Sequence, residues 1–230
     1  MIFIKRLKVF LFVSKYHYIC VKTETEMNFH AFRQAFFDYG CFNTHQLYIL
    51  QPEFNSNNLT RWVNQGLLVK LRNGFYAFRE YLEKPGFSLY ISNRIYKPSY
   101  ISLHTALAFY GIIPEAVIQV TAVSTLKTAA FQNDFGNYSY KKIHEGLFFG
   151  YDLKPMEDRS IQLAFPEKAL LDLLYLCPFY NTEAEIENLR LDNDYLANDL
   201  NKTRFDEYAC RYESKALIKR VNIMKKVYEL

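Results

Sequence analysis

The sequence predicts an α+β protein in two parts: a winged helix-turn-helix over residues 27–79, then a mixed α+β domain over residues 99–230 with a small sheet and a buried central helix. Three observations predict it. Two short helical segments are separated by Pro52, the hairpin signal Asn73-Gly74 follows at once, and a later run over residues 166–176 is apolar on nearly every side. Residues 1–26 carry no recognisable element and are read as an extension outside the fold, with Met27 as the biological start. Residues 80–98, bracketed by the breakers Pro85-Gly86 and Lys97-Pro98 around a short helical or extended piece, are read as the linker.

In the first part, Phe29, Phe32, Phe36 and Phe37 recur at helical spacing ahead of Gly40, and Asn28 can cap that helix. Asn43 and Gln46 have the spacing of a capping box for a second helix that Pro52 ends. A third helix starts near Asn55 or Ser56 and stops before Gly66, which takes a left-handed cap conformation at no steric cost. Leu59, Trp62 and Val63 give it a narrow apolar stripe. Asn57, Arg61 and Asn64 project from the other side, flanked by Thr60 and with Asn58 counted among the polar set. Arg can bridge two acceptors of guanine and Asn can pair with adenine, so this is the composition of a recognition helix. Alone, such a face is more often merely solvated. The hairpin after it changes the balance. In a type I′ turn at Asn73-Gly74, Leu71 opposes Tyr76 and Val69 opposes Phe78, which sends Lys70 and Arg72 to the opposite side of a narrow basic tip. Such a wing reaches phosphates or the minor groove. The expected contacts to duplex operator DNA are Asn57, Asn58, Thr60, Arg61, Asn64, Lys70, Arg72 and Asn73.

Half of the 230 residues are hydrophobic and 17% are aromatic, enough for two modest cores, so a disordered chain is excluded. The net charge of +4 is uneven: +3 over residues 1–26, +3 over 27–79 and −2 over 80–230. The basic excess therefore lies where a DNA contact would want it. Cys20, Cys41, Cys177 and Cys210 stand far apart without a Cys-x-x-Cys, which suggests neither a zinc site nor a disulfide framework and fits reduced thiols. The N-terminal apolar run at residues 9–13 is too short for a secretory signal, and no stretch approaches the roughly 20 apolar residues of a membrane span. A cytoplasmic protein without membrane contact is expected.

In the second part, Ser102 can cap a helix running to Gly111, strands are expected at residues 117–124, 138–143, 147–151 and 161–165, and Pro166 sits at a first helical position. A closing helix is expected over residues 215–230, with Leu217, Ile218, Val221, Met224 and Tyr228 as its stripe and Lys215, Lys219 and Lys226 outside. The run from Tyr100 to Glu115 (YISLHTALAFYGIIPE), the region from Phe135-Gly136 to Phe149-Gly150-Tyr151, and Ala164-Phe165-Pro166-Glu167-Lys168-Ala169-Leu170-Leu171-Asp172-Leu173 together resemble the C-terminal domain of AbiEi-type antitoxins. The likeness spans roughly residues 27–228, and members pair this domain with an N-terminal winged helix. The resemblance implies a type IV antitoxin of phage defence that represses its own operon at inverted repeats and counteracts a nucleotidyltransferase toxin without a demonstrated stable complex. It further implies Tyr151, Glu167, Lys168 and Asp172 as antitoxin-domain motif residues, no cofactor or metal, and a monomer or weak dimer. One departure is that residues 125–131 carry only Lys127 where relatives often carry several basic residues.

The residues do not point to catalysis. Glu167 and Lys168 are adjacent, whereas a metal-dependent nuclease needs Glu-x-Lys on a strand so that both reach one metal. Asp192-Asn193-Asp194 lacks the Gly-Ser motif of a nucleotidyltransferase, and His30, His45, His104 and His144 form no triad or ligand spacing. The alternative reading is a winged-helix transcriptional regulator whose second domain senses a ligand or mediates oligomerisation. A metal-dependent nuclease ranks third.

Overall fold

Asn28 opens the first element: its side-chain oxygen accepts from the Ala31 N–H at 2.9 Å, and helix α1 (Phe29–Phe36) follows. The computed structural model describes residues 27–230, so the reading of residues 1–26 lies outside the described residues. Strand β1 (Cys41–Asn43), α2 (Thr44–Leu50), α3 (Asn57–Asn64), β2 (Leu68–Arg72) and β3 (Phe75–Phe78) come next, with the strands in the antiparallel order β1-β3-β2. The capping box forms as expected, Asn43 and Gln46 each accepting the other's backbone N–H. At the start of α3 it is Asn55 whose side chain accepts, from the Asn57 N–H at 3.0 Å, while Ser56 makes no side-chain cap. Gly66 sits at φ 71, and the Leu67 N–H reaches back to the Trp62 carbonyl to close the helix. Phe32 is the hub of the core, with the rings of Phe36, Phe42, Phe54, Trp62 and Phe78 at centroid distances of 4.7 to 5.8 Å.

The hairpin departs from its expected register. Arg72 faces Phe75, but Lys70 then faces Tyr76, Val69 faces Ala77 and Leu68 faces Phe78, leaving Leu71 as a bulge. The expected pairs Leu71–Tyr76 and Val69–Phe78 are therefore not formed. Within the turn Gly74 has positive φ, at 77, and Asn73 does not, so the turn is not type I′. The bulge has a physical use, because the Leu71 carbonyl accepts from Asn133 Nδ2 at 3.1 Å.

The interval 80–98 carries a 3₁₀ turn (Arg79–Glu83) and α4 (Phe87–Ile95), whose Phe87, Ile91 and Ile95 are buried. Then come β4 (Ser99–Ile101), α5 (Leu103–Phe109), β5 (Gln119–Ser124), β6 (Ala129–Asn133), β7 (Gly136–Lys142), β8 (Tyr151–Met156) and β9 (Arg159–Ala164). Their six strands form one mixed sheet, ordered β6-β7-β5-β4-β9-β8. Helices α6 (Pro166–Leu176), α7 (Glu183–Glu187), α8 (Lys202–Arg211) and α9 (Lys215–Val227) complete the fold. The protein is thus mixed α+β with a three-stranded and a six-stranded sheet. Residues 147–151 are not the expected strand: Glu145–Leu147 is a 3₁₀ turn, Gly150 is left-handed at φ 72, and pairing begins at Tyr151. Ser102 precedes α5 without capping it, because its hydroxyl is used elsewhere. In α9, Leu217, Val221 and Met224 are buried, whereas Ile218 is 39% exposed and leaves the expected stripe. No helix among the described residues is long and apolar enough to cross a membrane.

Both faces of the large sheet are covered. Val120, Ala122, Tyr138 and Tyr140 join the aromatic cluster of the N-terminal part, while Val123, Ile161 and Leu163 belong to a second cluster with α5, α6 and α9. Arg159 on β9 ties the layers together. Its Nη1 donates to the Asp38 carbonyl at 3.0 Å and its Nη2 to the Tyr81 hydroxyl at 2.9 Å, and the guanidinium lies 5.0 to 5.6 Å from the rings of Tyr81, Phe87 and Tyr90. Removing it breaks both hydrogen bonds and the contacts with three rings, so Arg159→Ala should lower unfolding free energy by about 2 to 4 kcal/mol. Urea unfolding checks this, and a variant with an unchanged midpoint would refute it.

Burial also sets an alkaline limit. It pushes the Cys41 thiol and the Tyr110 phenol each up to about 12, and raises Tyr100, Tyr138, Tyr140 and Tyr212 as well. These groups hold their protons more tightly folded than unfolded. Their contribution is complete below the ordinary thiol and phenol values of 9.0 and 10.0 and is lost as pH rises toward the folded ones. Lys168 and Lys97, both lowered by burial, oppose this, but they are outnumbered by the raised thiol and phenols. Stability should therefore fall above about pH 9, with the buried tyrosines ionising in the same step that abolishes the circular dichroism signal. Complete tyrosine ionisation with the signal intact would contradict this account.

Candidate nucleic-acid interface and buried ionic centre

The exposed side of α3 is built from its own spacing. Asn57, Thr60, Arg61 and Asn64 stand at i, i+3, i+4 and i+7, which places them in one stripe, and all four are exposed. Leu59 and Trp62, each 2% exposed, anchor the opposite side. Asn58 does not belong to the exposed stripe. It is 2% exposed, and its Nδ2 has no hydrogen-bond partner, so the expectation that it touches DNA is corrected: the helix turns it inward.

The hairpin contributes less than expected. Lys70 and Asn73 are exposed. Arg72 is half-buried and committed, with Nη1 donating to the Ile95 carbonyl at 2.6 Å and the guanidinium 4.7 Å from the Phe131 ring. The tip is itself held, because the Gly74 carbonyl accepts from the Thr44 N–H at 2.8 Å. Arg72 is therefore corrected from a free phosphate contact to a residue joining the hairpin to α4 and β6. The reason is tertiary: β2 lies against β6 of the large sheet, and the guanidinium finds a carbonyl and aromatic faces there.

The motif residues of the second part converge inside the molecule. Lys168 and Asp172 are one helical turn apart on α6, both with no solvent exposure, and Lys168 Nζ donates to Asp172 Oδ1 at 2.5 Å. The Tyr212 hydroxyl accepts from Lys168 Nζ at 2.6 Å and donates to the same carboxylate oxygen at 2.7 Å. The other oxygen, Oδ2, accepts from the Tyr100 hydroxyl at 2.9 Å and from Ser102 Oγ at 2.8 Å. Four donors thus surround one buried carboxylate, and the ammonium group also lies 4.8 Å from the Phe149 ring. Burial lowers Lys168 against the attraction of Asp172, and burial followed by the carboxylate raises Tyr100 and Tyr212 well above the ordinary phenol value.

Neighbouring motif residues serve this centre. Tyr151 stacks on Tyr100 with a centroid distance of 4.7 Å and an interplanar angle of 12°. Gly150, at φ 72, leaves space that a Cβ would fill at 3.1 Å from the Lys168 stem and 2.9 Å from Tyr208. Glu167, 2% exposed, accepts from the Asn201 N–H at 2.9 Å and lies 3.6 Å from Arg204, holding the start of α8. Tyr212 carries no sequence signal, since it joins the centre from 40 residues away. Lys168 and Asp172 could have been paired from their i, i+4 spacing alone. Among the described residues no group of three or more His, Cys, Asp or Glu side chains could hold a metal ion.

Compared with known proteins, the chain matches no family model and no curated protein.

Removing one member of a buried pair leaves the other charge uncompensated. Lys168→Met and Asp172→Asn should each cost about 3 to 5 kcal/mol, while the double variant should cost less than their sum by about 1 to 3 kcal/mol. A double-mutant cycle in denaturant measures this, and simple additivity would show that the pair is not coupled.

Proposed function

We propose that the protein is a DNA-binding autorepressor and antitoxin of the AbiEi type, with α3 as its recognition helix. The observation that carries the DNA-binding half of this reading is the exposed stripe Asn57, Thr60, Arg61 and Asn64 on a helix whose opposite side is locked by Leu59 and Trp62. It is supported by the element order α1-β1-α2-α3-β2-β3 and the strand order β1-β3-β2, the arrangement a winged helix requires. The recognition face consists of one bidentate donor and short amides on a rigid helix, the side-chain types that read base edges in the major groove. Lys70 adds a phosphate contact from the hairpin, while Arg72 serves packing. The antitoxin half rests on the motif resemblance over residues 100–115, 135–151 and 164–173.

The DNA test is fluorescence anisotropy with duplex from upstream of the protein's own gene. Arg61→Ala should cost about 1 to 3 kcal/mol of discrimination at one base position. Lys70→Ala should weaken all duplexes alike and reduce the salt slope by about one ion. Equal binding by wild type and both variants across a salt titration would sink the assignment. For the antitoxin half, the full chain is expressed from an independent promoter beside an adjacent nucleotidyltransferase gene. The Arg61 variant should rescue growth, whereas Leu170→Asp, which buries an unpaired charge at a position with no solvent exposure, should not. Failure of wild type to rescue would leave the antitoxin assignment without support and the DNA assignment intact.

A further inference from the structure

A cleft of about 330 Å³ lies where the turn end of the hairpin, β1 and the end of α4 meet. Three cations line it, each from a different segment: Arg72 from β2, Arg94 from α4, and Lys97 from the connection to β4. Phe75 and Tyr96 supply aromatic wall, and neither Asp nor Glu is among the lining residues. None of the three cations forms an ion pair among the described residues. Arg94 lies 5.5 Å from the ring of Tyr90, and Lys97 is held below the ordinary lysine value first by burial and then by Arg94. Charges of one sign are normally interspersed with the other on a protein surface. Here they converge on a concavity with no counter-charge, which makes the site attractive to an anion.

The size and lining narrow the ligand. The volume falls within the range of small-molecule sites. Cations beside aromatic faces suit a molecule that is part phosphate and part planar ring. We propose that this cleft binds a phosphorylated small molecule of the nucleotide class, with its phosphates on Arg94 and Lys97 and its ring or sugar against Phe75 and Tyr96. Because Arg72 and Phe75 belong to the N-terminal part and Arg94 and Lys97 to the segment leading into the large sheet, the ligand would clamp the two. The proposal does not depend on the DNA-binding reading, since its test reads ligand affinity alone.

The test uses the full chain, titrated with ADP by calorimetry and followed by thermal melts, with adenosine and inorganic phosphate at matched ionic strength as comparison arms. ADP should bind and, at about a hundredfold excess over its Kd, raise Tm by roughly 5 °C or more. Adenosine should not bind, and phosphate should bind more weakly than ADP. Arg94→Ala and Lys97→Ala should each lose about tenfold or more in ADP affinity. Their ligand-free Tm should equal or exceed that of wild type, because each relieves repulsion and breaks no ion pair. Absence of ADP binding, ADP binding unchanged in both variants, phosphate binding as tight as ADP, or displacement of ADP by unrelated duplex DNA would each overturn the assignment.

Discussion

A carboxylate kept out of water constrains the whole second half of this protein. Moving Asp172 and Lys168 from solvent to a site with no exposure costs several kcal/mol per ion, and their mutual attraction offsets this only if the remaining lone pairs and protons are satisfied. The satisfying groups come from distant places: Tyr100 on β4, Ser102 at the entry of α5, and Tyr212 just beyond α8. Each segment must arrive for the others to be stable. The next residue after Ser102, Leu103, is buried at φ 56, a left-handed conformation unfavourable for a residue with a Cβ. It is tolerated where its neighbours are fixed, with the Ser102 hydroxyl on Asp172 and the Ser102 carbonyl accepting from Thr121 Oγ1 at 2.8 Å.

The same logic of shared burial governs the N-terminal part. A small module with one three-stranded sheet could have closed its own core, yet its cluster continues through Phe87, Ile91 and Ile95 of α4 onto Val120, Ala122, Tyr138 and Tyr140 of the large sheet. The Tyr140 hydroxyl donates to the Ser92 carbonyl at 2.8 Å, so even the polar end of that ring is used in the joint. This contact decides the character of the hairpin. A projecting wing needs strands free on their outer edge, whereas β2 gives its Leu71 carbonyl to Asn133 and its Arg72 guanidinium to the Ile95 carbonyl. What is left outside is Lys70 and the Asn73 side chain.

Local chemistry made some elements legible and non-local chemistry hid others. Helices α1, α2 and α3 could be read from Asn28, the Asn43–Gln46 box and Gly66, because a cap satisfies groups within a few residues of itself. Helix α6 was equally legible from Pro166 and its continuous apolar run. Strands β4, β6 and β8 were not: β4 is three residues long, and β6 alternates only between exposed and partly exposed residues. Their identity is conferred by partners elsewhere in the chain. The hairpin register failed for the same reason, since the bulge at Leu71 answers to Asn133, 62 residues later. At the candidate site, the α3 stripe followed from helical spacing. Asn58 and Arg72 depart from expectation because residue type does not reveal which side of a helix or which neighbour a polar side chain meets.

These constraints bear on how the two parts can act. Trp62 and Leu59, which set the orientation of the α3 stripe, belong to the same contiguous cluster as the Tyr138 and Tyr140 rings of the large sheet. Cutting the chain between them would uncover apolar surface on both pieces and orphan the carbonyls of Leu71 and Ile95 that now accept across the joint. The exposed polar stripe is consequently carried on a core shared with the large sheet. Helix α4 touches both the N-terminal cluster and the strands that lead to the Asp172 centre. The Asn93 side chain of α4 makes that link directly: its amide donates to the Ser99 carbonyl at 3.4 Å on the strand that supplies Tyr100, and its oxygen accepts from the Gln162 N–H at 2.7 Å on the neighbouring strand.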